Sequence, residues 1–158
     1  MRVSARAAAG GEVVPRTFGS GHEQEEASRP PGTPSAHGPI LIADDEGPIV
    51  EMLAFLARAA GFTPVVASHG RQALELARAN PPALVITDLM PHLSGAKLIE
   101  SLRGDAAAGG YPPPPIILIT AAGPKAAMAS GADAVVTKPF ALAEIEVLLR
   151  RFLGPLPE

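Results

Sequence analysis

The stretch Ile40-Leu41-Ile42-Ala43-Asp44-Asp45-Glu46 decides the fold: a short apolar run of β type that stops abruptly in carboxylates. The pattern returns at a distance, as Leu84-Val85-Ile86-Thr87 before Asp88 and as Ala134-Val135-Val136-Thr137 before Lys138-Pro139-Phe140. A fourth run, Ile116-Ile117-Leu118-Ile119, leads to Thr120. In a parallel sheet the ends of neighbouring strands lie side by side, so charges far apart in sequence can share one pocket.

Between these runs lie amphipathic stretches, and a β-then-α alternation reads as a parallel sheet of βα repeats. The pattern predicts strands near 39–43, 63–67, 83–87, 115–119 and 133–137. Ile49, Leu53, Leu56 and Ala60 recur on one helical face that Pro48 opens and Gly61 closes. Ala73, Leu74 and Ala77 mark a second helix stopped by Asn80-Pro81-Pro82, and Leu98, Ile99 and Leu102 mark a third after Gly95. A short alanine-rich piece at 124–130 is the fourth. In the fifth, Leu142, Ile145, Leu149 and Phe152 form an apolar seam with Glu144, Glu146, Arg150 and Arg151 largely elsewhere. That seam reads as core covering the sheet, with a homodimer interface as the alternative. Residues 104–115, with Gly109-Gly110 and four consecutive prolines, read as the one long connection.

Composition narrows the function. The chain has 158 residues, 47% of them hydrophobic, enough for one domain with a real core. Residues 1–38 are rich in Ala, Gly, Pro, Ser and charge and read as a disordered extension, 39–154 as the domain and 155–158 as a short tail. There is no apolar run of about 18 residues and no signal-peptide stretch after Met1, so the expectation is a cytoplasmic protein without a membrane partner. Without cysteine, disulfides, thiol catalysis and thiolate metal sites all fall away. A net charge of -3 offers no electrostatic reason for direct nucleic-acid binding.

The strand-end residues make chemical sense together. Asp44, Asp45 and Asp88 would converge at one rim, and like charges held that close call for a cation; ligands that are all oxygen favour Mg²⁺ over zinc. Lys138 adds a point charge able to grip a phosphoryl oxygen, and the Thr120 hydroxyl adds a hydrogen bond. A carboxylate can itself attack phosphorus to give an acyl phosphate. Asp88 is the best candidate, because it stands alone at a central strand while the adjacent pair is occupied with metal. Taken singly each residue has a plainer reading: the Asp pair as a helix cap, Lys138 as a surface lysine, Thr120 as a strand-end hydrogen-bonding group. His92 lies close to Asp88, whereas His22, His37 and His69 show no metal spacing.

From 39 to 152 the chain resembles the receiver domain of two-component response regulators. The resemblance rests on Asp44-Asp45-Glu46, Asp88-Leu89-Met90-Pro91 with Gly95, Thr120, Gly131-Ala132-Asp133 and Lys138-Pro139-Phe140, in order and on the right strand ends. It implies a flavodoxin-like, doubly wound α/β fold: a five-stranded parallel sheet of order 2-1-3-4-5 with five helices. It implies that Asp88 accepts a phosphoryl group from a sensor histidine kinase or a histidine phosphotransfer protein, a signalling phosphoacceptor and not an enzyme with a separate substrate. Asp44, Asp45, Asp88 and the backbone carbonyl of Met90 would hold Mg²⁺, Thr120 and Lys138 would bind phosphoryl oxygens, and the Lys138-Pro139 peptide would be cis.

Three features depart from the family pattern. Met90-Pro91 and Gly95 come one residue early after Asp88. The segment from Thr120 to Lys138 is short by about four residues, roughly one helical turn. Val135 stands where many members carry the aromatic ring of the activation switch, so a signal would travel by loop and helix displacement. With only residues 154–158 after Leu153, the expectation is a receiver without an output domain that signals through a downstream protein the sequence does not name. A phosphorylation-independent interaction module is the first alternative, motivated by those departures. An aspartate-nucleophile phosphatase is the second; such enzymes commonly carry an acid/base Asp where this chain has Met90.

Overall fold

Five short runs of apolar residues pair as strands: Ile40–Ala43 (β1), Pro64–Ala67 (β2), Leu84–Thr87 (β3), Ile116–Thr120 (β4) and Ala134–Thr137 (β5). In the computed structural model, which describes residues 38–88, 95–121, 123, 125 and 130–155, they form one parallel sheet of order β2-β1-β3-β4-β5. Every residue of β1, β3 and β4 is buried, which is why their sequences run apolar without alternation. Four helices accompany the sheet among the described residues: Gly47–Ala59 (α1), Gly70–Ala79 (α2), Gly95–Gly109 (α3) and Leu142–Leu153 (α4).

The period-2 geometry of the strands divides the core in two. Ile40, Ile42, Ile86, Ile117, Ile119 and Val136 point to the face covered by α1, through Leu53, Leu56 and Ala57, and by α4, through Ile145 and Leu149. Leu41, Ala43 and Val85 point to the other face, where they meet Ala73 and Ala77 of α2 and Leu98, Ile99 and Leu102 of α3. Helices on both faces of a parallel sheet are the doubly wound arrangement. Gly61 ends α1 with φ at 88°, letting the Gly61 and Phe62 N–H groups donate back to Arg58 and Ala57.

Three details of the pattern reading need correction or fall elsewhere. The helix after Gly95 does not stop near Gly104 but runs to Gly109, so the long connection starts later than expected. Ala106, 1% exposed in the core, and Asp105, which takes a two-pronged bond from Arg78 of α2 at 2.8 and 3.1 Å, carry the helix through the glycine. Leu142, assigned to the buried seam of the last helix, lies in its first turn and is 42% exposed, whereas Ile145 and Leu149 are buried as that face requires. The expected helix at 124–130 and the expected disordered extension fall outside the described residues, apart from Lys125, Ser130 and Gly38.

Register at the end of the sheet opposite the site depends on Asp133. Its N–H donates to the Ile116 carbonyl at 2.9 Å, and its Oδ2 accepts the Ile116 N–H at 2.8 Å. Arg103 of α3 reaches the same carboxylate oxygen at 3.3 Å. Asp133→Ala leaves the N–H of fully buried Ile116 without this acceptor, and we expect a loss of about 1–3 kcal/mol, the cost of an unsatisfied buried donor. Urea denaturation checks this; a variant within about 0.5 kcal/mol of wild type, as for an ordinary surface substitution, would show that Asp133 is only solvated.

Candidate functional site

Strand pairing brings the polar residues together. Ala43 of β1 is opposite Thr87 of β3, so Asp44 and Asp88 leave the sheet as neighbours, and the Asp88 N–H donates to the Ala43 carbonyl at 3.0 Å. Thr120 of β4 pairs with Thr137 of β5, and the Lys138 N–H donates to the Thr120 carbonyl at 2.9 Å, continuing that ladder one step beyond the strand. The Lys138–Pro139 peptide is cis. Asp44, Asp88, Thr120 and Lys138 thus stand along one edge, each fixed by backbone bonding or strand pairing.

The centre of the site is the Lys138 ammonium. Nζ donates to Asp88 Oδ2 at 2.9 Å and to Glu46 Oε1, and lies 3.4 Å from Asp44 Oδ2. Among the described residues, Asp44, Glu46 and Asp88 offer carboxylate oxygens that all lie within 4.8 Å of one another. A cavity of about 910 Å³ opens over them, lined by Asp45, Glu46, Ile49, Met52, Asp88, Thr120, Lys138 and Phe140 among others. Its lining combines acidic residues with the apolar Ile49, Met52 and Phe140. Asp45, Glu46 and Asp88 line it together with Lys138, and buried Asp44 stands 3.4 Å from the Lys138 nitrogen.

Burial divides the roles of these charges. The Asp44 side chain is 3% exposed, and its pKa is raised: desolvation is the main cause and the neighbouring Asp88 charge adds to it. Against this, Asp44 Oδ1 accepts the Glu46 N–H at 2.8 Å, and Lys138 stands close. Burial by itself would lower the Lys138 pKa, but hydrogen bonds to Glu46 and Asp88 and the charge of Asp44 outweigh it, so the net shift is upward. Lys138 is therefore charged throughout the physiological range. Its stabilising contribution is complete below the usual lysine pKa and is lost only as pH rises through the raised value. Asp44, whose pKa is also raised, has the same sign at lower pH: the folded protein holds that proton more tightly than the unfolded chain, so as pH rises above 3.8 its ionisation removes stability.

The residues singled out from sequence are placed as follows. Asp44, Asp88, Thr120 and Lys138 sit together at the pocket, with the Thr120 side chain buried and that of Asp88 16% exposed. Asp45 lines the cavity and is exposed, yet its carboxylate is not among the three that converge; Glu46 occupies that place. Met90, the expected carbonyl ligand, and His92 lie outside the described residues. Val135 lies on edge strand β5, paired with Leu118 and 41% exposed. Sequence reasoning gave Glu46 no separate role. The signal for it was local: an Asp two residues before it turns the chain through its own side chain, the Asp44 Oδ1 to Glu46 N–H bond, and so directs Glu46 back toward the pocket.

Known proteins agree with this fold. Residues 40–150 match the family described as the response regulator receiver domain. The chain is 33% identical over 115 residues to the probable transcriptional regulatory protein TcrX of Mycobacterium tuberculosis, covering 72% of this chain and 49% of that protein. It is 35% identical over 112 residues to the DNA-binding response regulator MtrA of Mycolicibacterium smegmatis, covering 70% of this chain and 48% of MtrA. The chain therefore spans about half the length of the curated relatives it matches. Among solved structures, a putative response regulator from Chloroflexus aurantiacus superposes with a TM-score of 0.65 at 28% identity, covering 75% of this chain and 98% of that one. With strand order, strand-end chemistry and family match in agreement, this chain belongs to the response regulator receiver domain family.

Proposed function

We propose that Asp88 is the phosphoacceptor of this receiver, taking a phosphoryl group from a phosphohistidine on a sensor histidine kinase or histidine phosphotransfer protein. The observation that carries the reading is the contact of Lys138 Nζ with Asp88 Oδ2 at 2.9 Å, between residues that only the parallel sheet brings together. In the reaction an Asp88 carboxylate oxygen bonds to phosphorus as the bond from phosphorus to the donor imidazole nitrogen breaks, its electron pair leaving with that nitrogen. Lys138, already at the carboxylate, donates to a phosphoryl oxygen and offsets its charge. Thr120, buried at the end of β4 and lining the same cavity, supplies a hydroxyl donor to another.

A hard divalent cation fits this donor set. The converging atoms are all carboxylate oxygens, and the elevated pKa of buried Asp44 reflects a site that disfavours its own negative charge until a cation enters. Asp44 and Asp88 are the residues we assign to Mg²⁺, with Asp45 at the cavity wall and the Met90 carbonyl as further ligands. Mg²⁺ held by these residues would supply neutralisation of charge on the transferred phosphoryl group. The phosphorylated state is read out by protein contacts of the receiver surface, in the cytoplasm where the donor's phosphohistidine is made. The DNA binding in the name of MtrA belongs to that protein, half of which this chain matches.

Incubation with Mg²⁺ and acetyl phosphate followed by intact mass tests the assignment. A single phosphoryl adduct is expected, absent without Mg²⁺ and absent from Asp88→Asn. Lys138→Ala is expected to slow adduct formation by about 10²-fold, the scale for a lost charge-stabilising donor. No adduct with any donor would make this a phosphorylation-independent interaction module.

Two stability measurements test the metal and the buried charge. At ten times its dissociation constant, Mg²⁺ should raise the free energy of unfolding by about 1.4 kcal/mol in wild type and leave Asp44→Asn unchanged. Without metal, Asp44→Asn keeps an acceptor for the Glu46 N–H but carries no buried charge, so its stability relative to wild type should grow as pH rises above 3.8. An advantage that stays flat or shrinks with pH would mean that Lys138 fully compensates Asp44.

A further inference from the structure

We propose that Glu46 is a positioning residue for Lys138, its exchangeable resting partner, and that it delays transfer by holding one of the ammonium's donors until the phosphoryl group arrives. The proposal rests on the phosphoacceptor reading of Asp88. An ammonium has three N–H donors; two go to Glu46 and Asp88, and Asp44 Oδ2 stands 3.4 Å from the same nitrogen. Three carboxylates thus surround the ammonium in the resting site, and a phosphoryl oxygen that joins them displaces one.

Exposure decides which partner that is. Asp44 is 3% exposed, so removing its cation would leave a buried carboxylate uncompensated. Asp88 is the residue being modified, and its charge passes to the phosphoryl oxygens that Lys138 then meets. Glu46 is 54% exposed, sits on a longer side chain and returns to water at little cost. Its backbone N–H stays bound to Asp44 Oδ1, so its main chain is held while its carboxylate swings free. The same negative charge at the cavity wall repels an incoming anionic donor.

Glu46→Gln is the test, with three readouts. Phosphorylation by acetyl phosphate with Mg²⁺ should be faster by about two- to fivefold at low salt, the scale of one exposed ion pair, and the difference should shrink as salt rises. Mg²⁺ affinity by calorimetry should change less than the rate does. In the metal-free protein the Lys138 ammonium signal in a proton–nitrogen spectrum, slowed in exchange by its carboxylates, should weaken in Glu46→Gln. A variant that loses Mg²⁺ binding and phosphorylates more slowly would make Glu46 a metal ligand and overturn the proposal. One with unchanged rate and unchanged ammonium signal would make it a bystander, also overturning it. A wild-type protein that takes no phosphoryl group overturns both this proposal and the reading of Asp88, whereas a modified wild type with an indifferent variant overturns only this one.

Discussion

The Lys138 ammonium and the carboxylates around it are the interaction on which the site depends, and they constrain the fold as much as the chemistry. Asp44 follows β1, Asp88 follows β3 and Lys138 follows β5, so one cation ties together three strand ends separated by most of the domain. Had register slipped by one residue at β3, Asp88 would turn to the opposite face and the contact would be lost. The apolar strands prevent that slip, because the same shift would move Ile86 out of one core and Val85 out of the other. Packing on both faces of the sheet is therefore what keeps a cluster of like charges in place.

That cluster works against folding stability. A buried Asp44 with a raised pKa beside Asp88 is a destabilising arrangement in an isolated domain, and Lys138 offsets it only in part. A buried carboxylate with a raised pKa among other charges belongs where a cation or a phosphoryl group completes the set. The apolar Ile49, Met52 and Phe140 beside these charges limit water and strengthen the electrostatics.

Much of this was legible in the sequence, and the parts that were not have physical reasons. Strand positions were readable because interior strands of a parallel sheet are buried on both faces, as at Leu84-Val85-Ile86-Thr87, leaving uninterrupted apolar runs. Once the strands were placed, Asp44, Asp88, Thr120 and Lys138 followed from their ends. Glu46 was missed because three consecutive acidic residues look alike in a sequence; only the turn made by the Asp44 side chain shows that the third and not the second reaches Lys138. The length of α3 was misjudged because local propensity weighs Gly104 against a helix, whereas burial of Ala106 and the Arg78 bond to Asp105 are tertiary. Leu142 misled because helical periodicity assigns a residue to a face without saying where the first turn leaves the sheet.

In the proposed function Asp88 receives the phosphoryl group at a site completed by a divalent cation and Lys138. Beryllofluoride, a tetrahedral mimic of a phosphoryl group that bonds to a carboxylate oxygen, tests it most directly by fluorine NMR because no donor kinetics intervene. Protein-bound fluoride signals are expected that require Mg²⁺, disappear in Asp88→Asn and come with a shift of the Lys138 ammonium resonance. Bound signals that persist in Asp88→Asn, or that form equally well without Mg²⁺, would contradict it.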